Sequence, residues 1–194
     1  VLKDLMYYYD DPIADISIIP TYLISKEAAK HNKAVLSGEG ADELFAGYTW
    51  HKKYLWTIPK MQEIMYKLKG WDLPLNRFDI DSYAKVTEMG KFDGETLTEL
   101  LHKDLHGYIP DDKDSFFRKY FDESIPTPKR FQILDIKCFM AELVLTKIDR
   151  ASMANSLEVR VPFLNTGIFE KMLSLSPVVY FNPRKQKVVI QKIL

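Results

Sequence analysis

Apolar positions along the chain fall into blocks of different rhythm, and the clearest rhythm is helical. Ile133, Ile136, Met140, Leu143, Val144 and Ile148 recur at three- and four-residue spacing, which predicts a helix from about Arg130 to Ala154. Ala34-Val35-Leu36 is a short unbroken apolar run after Lys33 and reads as a buried strand over Lys33 to Leu36. Before it, Pro20, Leu23, Ala28 and Ala29 suit a helix opened by the proline and running to about His31. Asp10-Asp11-Pro12 is a turn signal that breaks residues 1–19 into short pieces. After Leu36 the pattern changes abruptly to Ser-Gly-Glu-Gly-Ala-Asp-Glu, ending at Glu43, with Leu44, Phe45, Tyr48 and Leu55 near one face of a helix opening at Ala41. Strand, glycine-interrupted turn and helix, preceded by another helix, form half of an α/β unit.

From 57 to 128 the texture is different. Pro59, Pro74, Pro110, Pro126 and Pro128 punctuate short helical stretches rich in aromatics, which predicts a helical elaboration. Glu158 to Phe163 is expected to be a loop or extended segment, because the residue before Pro162 avoids the helical region. A further helix is predicted over Thr166 to Leu175, and Lys185 to Leu194 is apolar and basic in helical rhythm. One clear strand among helices would be an odd element in a complete domain, and Val1 stands where a Met would open a full chain. Residues 1–194 are therefore expected to be part of one domain of a longer protein.

Composition narrows the classes further. Hydrophobic residues at 46% and charged residues at 28% are ordinary globular values, and a chain of this size buries about 70% of its unfolded surface. Lys plus Arg equals Asp plus Glu at 27 each, which excludes a general basic field for nucleic acid. Cys138, the one cysteine, has no internal partner and apolar neighbours, so it reads as a small buried hydrophobe in a reducing cytoplasm, the expected location. No apolar run approaches the roughly 18 residues of a membrane span, and the four histidines show no ligand spacing.

The candidate chemistry lies in three places. In the turn, Gly38 lets a charged ligand approach the backbone and the Ser37 hydroxyl can donate to it. Backbone amides at such a turn favour phosphate, and carboxylates beside a phosphate call for a bridging cation, ordinarily Mg²⁺. Asp42 and Glu43 also suit simple helix-start positions, whereas Glu39 between two glycines has less structural reason. The second place is Lys147, Asp149 and Arg150 at the end of the long helix, followed by Glu158 and Arg160. Those last two share one side of an extended segment, and a structural ion pair is the rival reading. The third is the basic tail, where Arg184, Lys185 and Lys187 are either solvated surface or a source of positive charge for phosphate.

Taken together, Leu36-Ser-Gly-Glu-Gly-Ala-Asp-Glu-Leu-Phe-Ala-Gly-Tyr48 and Lys147-Ile-Asp-Arg-Ala-Ser-Met-Ala-Asn-Ser-Leu-Glu-Val-Arg-Val-Pro-Phe-Leu-Asn165 resemble the synthetase domain of glutamine-dependent asparagine synthetases. Asp11-Pro12, Ala14-Asp15 and Ser17 resemble it more weakly. The resemblance implies an α/β fold of the adenine-nucleotide alpha-hydrolase, ATP-pyrophosphatase type, of which this stretch is the mostly helical carboxy-terminal part. It implies a ligase that adenylates aspartate with ATP and Mg²⁺, releases pyrophosphate, and forms the amide with ammonia drawn from glutamine. Under it Ser37 and Gly38 contact nucleotide, Asp42 holds Mg²⁺ and Glu39 faces the activated intermediate. Glu158, Arg160 and Arg150 serve the substrate or phosphate side, and Lys187, with Lys185 as rival, stabilises the adenylation transition state. A homodimer is among the assemblies it allows; no membrane or nucleic-acid partner is expected.

Departures accompany the resemblance. The family's pyrophosphate loop, Ser-Gly-Gly-x-Asp-Ser, and its glutaminase domain are expected to precede Val1, so the segment by itself is expected to be inactive. Asn165 stands where the family usually has Asp, and Ala46 where it frequently has Gly. Two rivals are an amidotransferase of the same family acting on another carboxylate, such as a sugar acid in polysaccharide synthesis, and a non-catalytic helical interaction module. A β-lactam-forming relative fits less well, since that branch is associated with tyrosine where Glu39 stands.

Overall fold

In the computed structural model, the described residues are 1–9, 15–51, 80, 83–84, 87, 94–109, 115–125, 127–180, 182 and 185–193. The turn at Asp10-Asp11-Pro12, Ala14, Leu55, Arg184 and most of the 57–128 elaboration lie outside them. The described part is mostly helical with little sheet. Helices α1 (Leu2–Tyr8) and α2 (Ile18–Ala28) lead into strand β1 (Ala34–Leu36) and the short helix α3 (Ala41–Phe45). Pro20 sits in the first turn of α2, where its missing N–H costs no hydrogen bond.

The long helix anticipated from the apolar rhythm is present but not uniform. It begins as α4 (Thr127–Leu134), widens over Asp135–Leu145 into a coil whose hydrogen bonds span five residues instead of four, and returns to ordinary geometry in α5 (Thr146–Met153). Strand β2 (Glu158–Arg160) follows, then a tight turn over Pro162–Leu164 and helices α6 (Thr166–Ser174), α7 (Pro177–Tyr180) and α8 (Val188–Ile193).

Two expectations are corrected. The strand at 34–36 has a partner: β2 pairs with it in parallel, Ala34 opposite Glu158, Val35 opposite Val159 and Leu36 opposite Arg160. Helix α3 stops at Phe45 instead of running on through Tyr48, because Ala46 takes a left-handed conformation (φ 54°) and the N–H of Gly47 turns back to the Asp42 carbonyl. Residues 2–8, one of the short pieces ahead of the Asp10-Asp11-Pro12 signal, form helix α1.

One core joins the elements that matter for the site. Leu44 and Phe45 of α3 pack with Ile136, Met140 and Val144 of the widened coil, Ile148 of α5 and Met172 of α6, and Val189 and Ile190 of α8 lie against them. Leu44 is wholly buried, worth about 1.5–3 kcal/mol of transfer free energy. Cys138 is buried, as its apolar neighbours imply. Val35 and Val159 are half-buried on one face of the two-stranded sheet, while Ala34, Leu36, Glu158 and Arg160 stand exposed on the other. No helix among the described residues is long and apolar enough to cross a membrane.

Candidate functional site

The turn after β1 is fixed at both ends by backbone. The Ser37 N–H donates to the Arg160 carbonyl at 2.8 Å, extending the parallel ladder one residue past the strand. Gly40 then takes φ +83°, and a Cβ there would lie 2.8 Å from Cδ2 of Leu164, so both conformation and space require glycine. Gly38 is different: a Cβ on it would meet nothing within 4 Å. Its backbone is open to approach from outside.

The three carboxylates of the turn part company. Glu43 faces inward, 1% exposed, and accepts a 2.6 Å hydrogen bond from the Tyr48 hydroxyl. Burial pushes its carboxyl above the ordinary range, and the Tyr48 bond only partly offsets that. Beneath it the buried Gln132 amide donates to the carbonyls of Glu43 and Leu44, and the Tyr180 hydroxyl donates to Gln132 Oε1 at 2.7 Å. These bonds lock the end of α3 from below. Gln132, a polar residue in an otherwise apolar helix stripe, is the signal that could have revealed this support.

Asp42 faces the other way. Its Oδ1 lies 2.9 Å from Nζ of Lys187, with both side chains about a third exposed (36% and 34%). Lys187 is itself left-handed (φ 50°) at the entrance to α8, which aims its side chain at the turn while Val189 and Ile190 dock on the core. Lys185 is exposed, its backbone N–H held by Asn182 Oδ1. Glu39 is half-buried in the same field: burial pushes its carboxyl up, Lys147 and Lys187 pull it back, and Asp42 adds to the rise.

Lys147 has partners the sequence did not disclose. Its Nζ donates to Asp15 Oδ2 at 2.8 Å and to Ser17 Oγ at 2.7 Å, with the pair only 13% and 12% exposed. Asp15 also accepts from the Ser17 N–H, and burial, which alone would raise its carboxyl, is outweighed by these bonds so that it sits below the ordinary value. The Tyr9 hydroxyl donates to the Lys147 carbonyl, and burial pushes that phenol up to about 12. Helices α1, α2 and α5 are thereby stapled beside Glu39.

Ser37, Gly38, Glu39, Asp42 and Lys187 thus come together. Glu158 stands farther off, opening β2 opposite Ala34 about 10 Å along the strands from the turn, whereas the Arg160 backbone abuts Ser37 and only its side chain turns away, toward Glu158. Arg160 Nε donates to Glu158 Oε1 at 2.8 Å, both exposed, and this bond holds the Glu158 carboxyl below its usual range. Arg150 donates to the Tyr8 carbonyl at 3.2 Å and lines a cavity of about 510 Å³ with Asp149, Leu145, Ile148, Val159 and Val161. Among the described residues no group of three or more His, Cys, Asp or Glu could hold a metal ion by itself. The half-exposed Asp42 suits Mg²⁺, which takes one or two protein carboxylates and completes its shell with substrate phosphates and water.

The sequence profile described as "Asparagine synthase" matches residues 1–194 in full. The chain belongs to the asparagine synthase family. Among its curated relatives, a "Putative asparagine synthetase [glutamine-hydrolyzing]" of Mycobacterium bovis is 34% identical over 186 residues, covering 87% of this chain and 28% of that protein. "Asparagine synthetase [glutamine-hydrolyzing] 1" of Bacillus subtilis is 33% identical over 186 residues, covering 87% of this chain and 29% of the relative. The chain therefore spans less than a third of the length of these asparagine synthase relatives. No solved structure matches it.

Proposed function

We propose that the chain is part of a glutamine-hydrolysing asparagine synthetase and carries one wall of its adenylation site, in an ATP-pyrophosphatase type of fold. In this reading the aspartate side-chain carboxylate attacks the α-phosphate of ATP, pyrophosphate leaves, and ammonia derived from glutamine displaces AMP to give asparagine. Ser37 and the open backbone of Gly38 contact the nucleotide. Asp42 holds the magnesium, which neutralises phosphate charge when bound. Lys187 lays positive charge beside the charge that develops on phosphate, and Glu39 faces the activated carboxylate. Arg150, Arg160 and Glu158 serve the substrate side.

The observation that carries this reading is the approach of Lys187 to Asp42 above a turn whose Gly38 backbone is open. A cation and a carboxylate from distant parts of the chain are held half-exposed at a parallel strand end, where ligands bind in open α/β sheets. The test is aspartate-dependent ATP–pyrophosphate exchange by the full-length protein and its Asp42→Asn variant. Exchange that needs aspartate and Mg²⁺, and collapses in Asp42→Asn, is the expected result. Exchange driven by a different carboxylate would move the protein to another branch of the family, and exchange indifferent to Asp42 would displace the site.

A further inference from the structure

Among the residues around the acidic turn, Gly47 has no role in the chemistry above, yet its surroundings are unusual. A Cβ built on it would overlap Oδ1 of Asp42 and Cε of Lys187, and would lie 2.8 Å from Asp42 Cγ. All three nearest atoms belong to the side chains of the ion pair; none belongs to the apolar core. Gly47 is buried directly beneath the crossing.

Conformation does not explain this glycine. The only glycine with positive φ among the described residues is Gly40. At the end of α3 it is Ala46, with a Cβ, that takes the left-handed conformation usually given to glycine (φ 54°). The next residue has no left-handed backbone and no side chain. Glycine has been placed where space is needed and alanine where backbone freedom is needed, the reverse of the usual arrangement at a helix end.

We propose that Gly47 is a positioning residue of the adenylation site: the missing side chain opens the slot in which Asp42 and Lys187 meet. The inference rests on the reading of Asp42 and Lys187 as site residues. A methyl group there pushes aside the ends of two flexible side chains, not backbone or core. The ion pair it disturbs is a third exposed at each partner, so the fold loses little while the charge geometry shifts.

The experiment uses the full-length protein and compares Gly47→Ala, Lys187→Ala and the double variant in aspartate-dependent ATP–pyrophosphate exchange, with kcat and KM separated. Displacing a charge by about 1 Å is worth about a hundredfold, so Gly47→Ala is expected to lower kcat by that order with KM for aspartate little changed. The double variant should lose less than the two single losses combined, because the methyl displaces Asp42 and Lys187 as one pair. Modification of Lys187 by an amine reagent, read by mass spectrometry without substrates, should be faster in Gly47→Ala than in the wild type. A thermal midpoint close to wild type is expected alongside. Should Gly47→Ala fold poorly, the exchange Ala46→Gly/Gly47→Ala relieves the left-handed alanine and keeps the crowding. Additive losses in the double variant, or Lys187 equally protected with and without the methyl, would overturn the proposal. An unchanged kcat in Lys187→Ala alone would overturn the underlying role of Lys187, a result read separately from the Gly47 arms.

Discussion

Lys187 approaches Asp42 to 2.9 Å from a left-handed residue at the start of α8, so a backbone conformation sets the direction of the cation on that carboxylate. In the full-length protein Lys187→Ala should impair adenylation more than substrate binding. Removing a preorganised charge of this kind costs about 2.7–4 kcal/mol of transition-state stabilisation. Aspartate-dependent pyrophosphate release with kcat and KM determined separately checks it, and unchanged kcat would shift attention to Lys185.

Lys147→Met should destabilise the fold more than a surface charge deletion does. It leaves Asp15 12% exposed without its ammonium, and breaking a buried pair from one side costs about 3 kcal/mol or somewhat less at this exposure. The Asp15 carboxyl is depressed in the folded state, so its stabilisation is complete above its unfolded value and is lost as pH falls through the folded one. The gap between wild type and variant in urea unfolding should therefore be widest near neutrality and close in acid. A gap independent of pH would separate Lys147 from Asp15.

Glu43→Gln should change the slope of stability against pH. Burial raises the folded-state value of this carboxyl, so the native state binds more protons than the unfolded state between the two values, and stability falls as pH rises through that window. The amide removes the titration and can still accept the Tyr48 hydroxyl. Thermal unfolding across the window from the ordinary glutamate range upward should show a flatter profile for the variant; parallel profiles would contradict the assignment.

Ala46→Gly should stabilise slightly. A left-handed alanine costs about 1–2 kcal/mol, and glycine at such a site gives back about 0.4–1 kcal/mol through the freer unfolded chain. The net expectation is a gain between about 0 and 1.6 kcal/mol, read as a higher urea midpoint with unchanged m-value. A lower midpoint would mean that the Ala46 methyl contributes more by packing than its backbone loses.

The parts of this architecture that were legible in the sequence are those written locally. The strand, glycine turn and acidic helix start at 34–43 are announced by residue types in direct succession, and the helix over Thr127–Met153 by its apolar spacing. The widening over Asp135–Leu145 was not, because a buried stripe looks much the same over two turns whether hydrogen bonds span four residues or five. The pairing of β1 with β2, and of Lys147 with Asp15, depends on elements meeting across the fold, which no window of sequence records. Glu39, Asp42 and Lys187 stand out by residue type and place, and the resemblance adds their roles; that Glu43 turns inward while Asp42 turns outward is seen only in the fold, at the short α3 ending at Ala46.

The parallel pairing of β1 with β2 and the contact of Asp42 with Lys187 also set an order of events during synthesis. At about 5–20 residues per second, the roughly 145 residues between Asp42 and Lys187 take about 7 to 30 s to translate. Over that interval Asp42 emerges before the Lys187 that pairs with it, and β1 before the second strand. Closing so long a loop carries its entropy cost before any contact repays it, so the helices assemble first and the acidic turn is completed last. A nascent chain therefore lacks the Asp42–Lys187 pair until the segment around Lys187 has left the ribosome and docked.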